Sequence, residues 1–73
     1  MSEPSTAAID VRDMLCAQAL ALVAQAVGRL PRGSTLAVTY NSADVRQDLA
    51  AWARERGHRL TGVDAATLHL QRA

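Results

Sequence analysis

The residue best suited to chemistry is Cys16, the one cysteine in a chain of 73 residues. It stands where an alternating apolar pattern gives way to a helical one, so we expect it at the N-terminus of a helix. Unpaired N–H groups and about half a positive charge at such a terminus favour the thiolate and lower the pKa of a thiol. Cys16 is therefore a candidate nucleophile. The alternative is a small apolar residue buried beneath a sheet, because free cysteine is among the most buried residue types.

The composition excludes several kinds of site and partner. A single cysteine allows no intrachain disulfide and no cysteine cluster for zinc, and two widely spaced histidines add no metal-ligand spacing. The net charge of +1 provides no global field for nucleic acid or an anionic membrane. An unpaired thiol fits a reducing compartment. Without a signal-peptide pattern or an apolar stretch long enough to span a bilayer, we expect a cytoplasmic protein.

The hydrophobic periodicity that must position Cys16 predicts six elements. Residues 1–6 are interpreted as a disordered leader and residues 7–73 as a single domain. Apolar residues alternate in the strands and recur at helical spacing in the helices. The predicted elements are strand 7–11, helix 17–30, strand 34–40, a helix ending near residue 56, strand 58–63 and strand 67–71. The order β-α-β-α-β-β predicts an α+β two-layer sandwich, with two helices on one face of a four-stranded mixed sheet.

The second helix carries clear end signals. Asn41 and Ser42 form a possible N-cap pair, with Asp44 placed as in a capping box. Gly57 fits the C′ position, where a positive φ is required. His58 follows it and is expected near the helix C-terminus, where a cation is favourable. The predicted buried stripe of this helix is Val45, Leu49, Trp52 and Ala53, and the open face of the sheet is expected to carry Thr35, Thr39, Thr61, Thr67 and His69.

These segments resemble the TusA/SirA-like sulfur carrier proteins. The family pattern has an apolar-Asp strand, then Gly-x-x-Cys-Pro-x-Pro at the start of the first helix, a turn and strand, an Asp-containing second helix, and Gly-His before the third strand. In this chain the pattern is matched by Ile9-Asp10, Cys16, Arg32-Gly33-Ser34-Thr35-Leu36, Asp48-Leu49 and Gly57-His58. The resemblance covers about residues 8–71 and implies the fold derived above.

The motif around the cysteine departs from the family pattern. Ala17 and Ala19 replace its two prolines, which removes residues that favour the first helical turn. Asp13 replaces its glycine and brings a negative charge near the thiol, which is expected to raise its pKa.

The resemblance implies a persulfide relay on Cys16. A donor such as a cysteine desulfurase would pass a sulfane sulfur to this thiol, and an acceptor would receive it. We expect the N–H groups of Gln18, Ala19 and Leu20 to surround the persulfide anion. Arg12 either adds positive charge there or is a solvated turn residue. Asp10 orients the loop before the cysteine or caps backbone N–H groups of that loop.

The same resemblance sets expectations for partners. The acceptor pathway would be tRNA thiolation, molybdenum cofactor assembly or sulfur metabolism, and no cofactor is expected beyond the covalent persulfide. Arg54, Arg56 and Arg59 cluster at the end of the second helix, where they are either solvated or dock an acidic partner. Asp48 is either a counterpart of the family's helix residue or a solvated one. Neither a membrane nor direct nucleic-acid binding is expected.

Two other functions compete with the sulfurtransferase-type carrier. One is a non-catalytic interaction or regulatory module on the same fold, in which Cys16 is a relic. The other is a redox protein, which is the weakest hypothesis because a dithiol mechanism has no resolving cysteine here.

Overall fold

The computed structural model describes residues 6–64 and 66–73. Four strands and two helices follow in the predicted order: β1 (Thr6–Asp10), α1 (Cys16–Gly28), β2 (Thr35–Thr39), α2 (Ala43–Glu55), β3 (Arg59–Val63) and β4 (Thr67–Gln71). The predicted limits of β4 are confirmed, and those of the other elements differ by one or two residues. Thr6, assigned to the leader from the sequence, begins β1, while the rest of the predicted leader lies outside the described residues.

The sheet is mixed, as predicted, with strand order β1-β2-β4-β3. β1 and β2 are parallel neighbours joined by α1, whereas β4 is antiparallel to both β2 and β3. A parallel pair needs a long crossover connection, and α1 supplies it. This arrangement places the end of β1 and the start of α1 beside the end of β2.

The core lies between the helices and one face of the sheet. Its side chains are almost entirely aliphatic, which agrees with the low aromatic content of the chain. The fully buried large members are Val11, Val23, Leu36, Val38, Leu49, Leu68 and Leu70. The opposite face carries short polar and small side chains in register, including Thr39 beside Thr67 and Ala37 beside His69. The structure therefore confirms a two-layer sandwich with one face of the sheet uncovered by helices.

The end of α2 follows the predicted glycine signal. Gly57 has a φ of 77°, a value that a residue without Cβ adopts at little cost. Its N–H donates to the Arg54 carbonyl at 3.1 Å, and the His58 N–H donates to the Ala53 carbonyl at 2.8 Å. This pair of bonds is the Schellman motif, and it satisfies carbonyls that the helix end leaves open.

The capping expectation at the start of α2 is wrong. Ser42 is the N-cap and makes no side-chain capping bond, so the capping box with Asp44 does not form. Asn41 is used elsewhere, as described below. The His58 ring packs on the half-buried Trp52 with centroids 5.3 Å apart, and burial together with Arg72 and Arg56 lowers its pKa. His58 therefore lies at the helix end, as expected, and its surroundings disfavour the cationic form.

Candidate functional site

Cys16 is the first residue of α1, and its side chain is half-buried with a free thiol. Leu15, the N-cap, has extended backbone angles and turns the chain from the loop into the helix. The Leu15 side chain is 73% exposed, so an apolar group stands at the surface immediately before the thiol. The predicted position at a helix N-terminus is confirmed, with the helix beginning one residue earlier than expected.

Gln18 contributes to this helix start through its side chain. Its Oε1 accepts a hydrogen bond from the Leu15 N–H at 3.1 Å, which is one half of a capping box. Leucine has no polar side-chain atom, so the reciprocal half is missing. A glutamine three residues after the N-cap is a signal that sequence reasoning could have used here.

The backbone donors near the thiol are shifted by two residues from the prediction. The Ala19 N–H donates to the Leu15 carbonyl at 2.9 Å, and Ala19 is fully buried. Ala19 is therefore part of the helix interior and cannot help to surround a persulfide. Because α1 begins at Cys16, the N–H groups without a carbonyl partner inside the helix belong to Cys16, Ala17 and Gln18.

The side chains of Asp10 and Arg12 pair with each other in the loop before the cysteine. The Asp10 carboxylate accepts the Arg12 backbone N–H at 2.9 Å and its guanidinium Nη2 at 2.8 Å. The guanidinium lowers the pKa of Asp10, and the carboxylate raises the pKa of Arg12. The interpretation of Asp10 as a cap for loop N–H groups is confirmed. Arg12 directs its charge to Asp10 rather than to the thiol.

Asp13 and Asn41 join two loops across the site. Asp13 has a φ of 63°, in the left-handed region that explains a glycine at this place in the family pattern. Its N–H donates to Asn41 Oδ1 at 3.0 Å, and Asn41 Nδ2 donates to the Asp13 carboxylate at 2.7 Å. Two hydrogen bonds therefore hold a non-glycine residue in a strained conformation and fix the β1–α1 loop against the β2–α2 loop.

The electrostatics of the thiol differ from the prediction. Interaction with the Asp48 carboxylate, followed by burial and the nearby charges of Asp48 and Asp44, raises the pKa of the Cys16 thiol. The Cys16 backbone N–H lowers that pKa, as expected at a helix N-terminus, but its effect is smaller. The lowering expected from the helix N-terminus is therefore outweighed by nearby acidic charge, which was expected to raise the pKa. The carboxylates responsible lie on α2, not at Asp13, so tertiary packing brings them to the thiol.

The geometry now includes a half-buried cysteine at a helix start, capped by a side chain and faced by a carboxylate of the second helix. A family model described as Sulfurtransferase TusA matches residues 7–70, which is most of the chain. The chain belongs to this family. No significant match was found among curated proteins or among solved structures.

Within the TusA family pattern, the two departures at the helix start have structural consequences. Ala17 and Ala19 occupy the places of the prolines, and the half capping box of Gln18 supports the first turn in their absence. Ala19 also packs into the core at 0% exposure. The helix of this member therefore begins without the residues that usually fix its first turn.

The structure separates the three arginines that were predicted to dock a partner. Arg54 lines a groove between α2 and β3, on the helix side of the sheet. Arg59 pairs in register with Gln71, whose neighbour Leu70 points into the core, so Arg59 lies on the opposite face. Arg56 is the exposed C-cap of α2. Arg54 and Arg59 therefore lie on opposite sides of the sheet.

Among residues 6–64 and 66–73, no group of histidine, cysteine and acidic residues is arranged to hold a metal ion. Over the same residues, neither helix has the length and apolar character needed to cross a membrane.

Proposed function

We propose that this protein is a sulfur carrier that holds a sulfane sulfur as a persulfide on Cys16. The observation that carries the proposal is the half-buried free thiol at the first position of a 13-residue helix, in the cysteine position of the TusA family. Three backbone N–H groups of the first turn lie where a terminal sulfur anion needs donors. The helix therefore supports the charge-bearing product better than it supports the resting thiol.

Sulfur acceptance is a displacement at sulfur. The Cys16 thiolate attacks the outer sulfur of a donor cysteine persulfide, a new S–S bond forms, and the donor cysteine leaves as a thiolate. Delivery repeats the same step, with an acceptor thiolate attacking the outer sulfur on Cys16. The sulfane sulfur is transferred to the attacking thiolate in each step, and neither step needs an external oxidant or reductant.

Asp48 acts on the first step through its negative charge. The carboxylate favours the protonated thiol over the thiolate, so it restrains the nucleophile until a donor approaches. After transfer, the anionic outer sulfur lies near the Asp48 and Asp44 carboxylates, and this repulsion favours delivery over storage. The helix N–H groups, by contrast, stabilise the anionic outer sulfur and favour storage. The balance of these two influences suits a carrier that must both accept and release its cargo.

The donor in this proposal is a cysteine desulfurase or a similar persulfide donor. The acceptor serves tRNA thiolation, molybdenum cofactor assembly or another branch of sulfur metabolism. Leu15 supports a protein partner on both sides of the relay, because an exposed leucine beside the thiol gives such a partner an apolar contact. The lone free thiol suits the reducing cytoplasm as the place of action.

The experiment is intact-mass analysis after incubation with a cysteine desulfurase and cysteine. We expect an added mass of one sulfur atom that is absent in Cys16→Ser and that is lost when an acceptor thiol protein is added. The absence of the adduct with every persulfide donor tested, for a protein whose thiol reacts readily with iodoacetamide, would contradict the carrier role.

A second function is supported by the raised pKa of Cys16. A thiol whose thiolate is disfavoured by Asp48 also fits an interaction or regulatory module in which the cysteine is a relic. This module predicts a thiol that resists alkylation in the folded protein up to strongly alkaline pH. The carrier predicts alkylation that rises steadily with pH and accelerates when Asp48 is replaced.

A further inference from the structure

The side of α2 that faces away from Cys16 forms a groove with β3. This groove has a volume of about 360 Å³ and is lined on the helix by Arg46, Ala50 and Arg54 and on the strand by Leu60 and Val63. Val63 is 50% exposed, and with Leu15 it is one of two large hydrophobic residues exposed within residues 6–64 and 66–73. The groove is therefore a second surface with an apolar contact, separate from the thiol.

A bulge in β3 creates the apolar floor of this groove. Leu60 pairs with Leu70 and Val63 pairs with Leu68, although three positions separate the two β3 residues. In a regular strand, residues three apart point to opposite faces. The register shift between Leu60 and Gly62 adds one residue, so both side chains lie on the helix side. Val63 is thereby placed in the groove and remains half exposed.

Two arginines border this floor. Arg46 and Arg54 are eight residues apart on α2, which corresponds to about 12 Å along a helix axis. The salt bridge found within the described residues joins Arg12 to Asp10, far from this groove in sequence and on another element. The guanidinium groups of Arg46 and Arg54 are thus positive charges without a carboxylate partner in the described residues.

We propose that this groove binds an acidic protein segment in which aliphatic side chains lie between carboxylates. The aliphatic groups contact Leu60 and Val63, and the carboxylates pair with Arg46 and Arg54. Recognition is through side chains, because the bulge and the short length of β3 disfavour the addition of another strand at this edge. This inference does not depend on sulfur transfer, since Cys16 does not line the groove.

The test is an NMR titration of the ¹⁵N-labelled full chain with a synthetic helical peptide. In this peptide two glutamates, spaced two helical turns apart, flank two leucines. We expect saturable shifts at Leu60, Val63 and Ala50 and none of similar size at Cys16. The variant Arg46→Ala/Arg54→Ala should weaken binding about tenfold, as the loss of two ion pairs at a partly apolar contact would predict. Val63→Ser should weaken it severalfold.

The matched control is Arg56→Ala/Arg59→Ala, which removes the same charge outside the groove and should leave the affinity within twofold. Cys16→Ser should bind the peptide as the unchanged protein does, even if it fails to carry sulfur. The proposal is overturned if no saturable shifts appear or if the control variant weakens binding as much as the groove variant. It is also overturned if a lysine version of the peptide or a single-stranded DNA oligonucleotide binds equally well. Shifts that appear when the protein concentration is raised without peptide would overturn it too.

Discussion

The two sides of α2 have opposite charge and different neighbours. Asp44 and Asp48 lie near enough to the Cys16 thiol on the neighbouring helix α1 to raise its pKa. Arg46 and Arg54 face β3 and border the groove. Asp44 and Asp48 are four residues apart and share a face of the helix, whereas Arg46 is two residues from each and lies on another face. Leu15 and Val63 give each side one exposed apolar residue. The comparison indicates that one helix separates the proposed site of covalent chemistry from the proposed docking groove.

Part of this charge separation has a simpler cause. Asp44 lies in the first turn of α2 and Arg54 in the last, where each complements the helix dipole. Asp48 is not in the first turn of α2 and Arg46 is not in the last, so the helix dipole does not account for their positions. Variants at Asp48 and Arg46 are therefore the ones that distinguish function from helix stability.

The largest effect is expected from a change that removes the common support of both sides. Leu49 is fully buried on α2, and Leu49→Ala should lower the free energy of unfolding by about 2–5 kcal/mol. For so small a domain this is most or all of its stability. Urea unfolding followed by circular dichroism measures the loss. A drop below about 1 kcal/mol would show that α2 is not anchored through this residue.

The next effect concerns the loop that places Cys16 opposite Asp48. Asp13→Ala keeps the strained φ of 63° but removes the carboxylate that binds Asn41, and it should cost about 1–2 kcal/mol. Asp13→Gly removes the strain as well as the bond and should cost less than Asp13→Ala. Equal unfolding free energies for the two variants in urea would show that backbone strain at this position is unimportant.

A smaller effect, on reactivity, tests the acidic side directly. Asp48→Asn removes the main cause of the raised pKa of Cys16, so the pH profile of iodoacetamide alkylation should move to lower pH. At neutral pH the rate should rise severalfold, because more thiolate is present. Asp44→Asn, whose charge is the more distant influence, should give a smaller shift in the same direction. A profile unmoved by Asp48→Asn would remove Asp48 from the site.

The smallest effect should come from the basic side. Arg46→Ala/Arg54→Ala should change the alkylation rate of Cys16 by less than about twofold, because these charges lie across α2 from the thiol and are screened by solvent. The same variant should lose binding of the acidic peptide. A change in alkylation as large as that of Asp48→Asn would show that the two sides are coupled.

The order of the elements follows from the sequence because local patterns determine it. Alternation in Leu36, Val38 and Tyr40 and helical spacing in Val45 and Leu49 report which side of each element is apolar, and the structure buries all five residues. Gly57 marks the end of α2 because few other residues tolerate its φ. The helix position of Cys16 could also be predicted from a local pattern, because the alternation of apolar residues gives way to helical spacing beside it.

Contacts between distant residues were decided by the tertiary structure. Asn41 had a local use as a helix cap, but packing placed it against Asp13, 28 residues away in sequence, where it makes two hydrogen bonds. Asp48 likewise reaches Cys16 only because α1 and α2 pack side by side. The β3 bulge moves Val63 to the groove through pairing with β4, which its own periodicity does not report. The sequence by itself determined which residue is the candidate nucleophile and which elements carry it. The tertiary structure decided the charge around that nucleophile, because electrostatic interactions depend on distance in space and not along the chain.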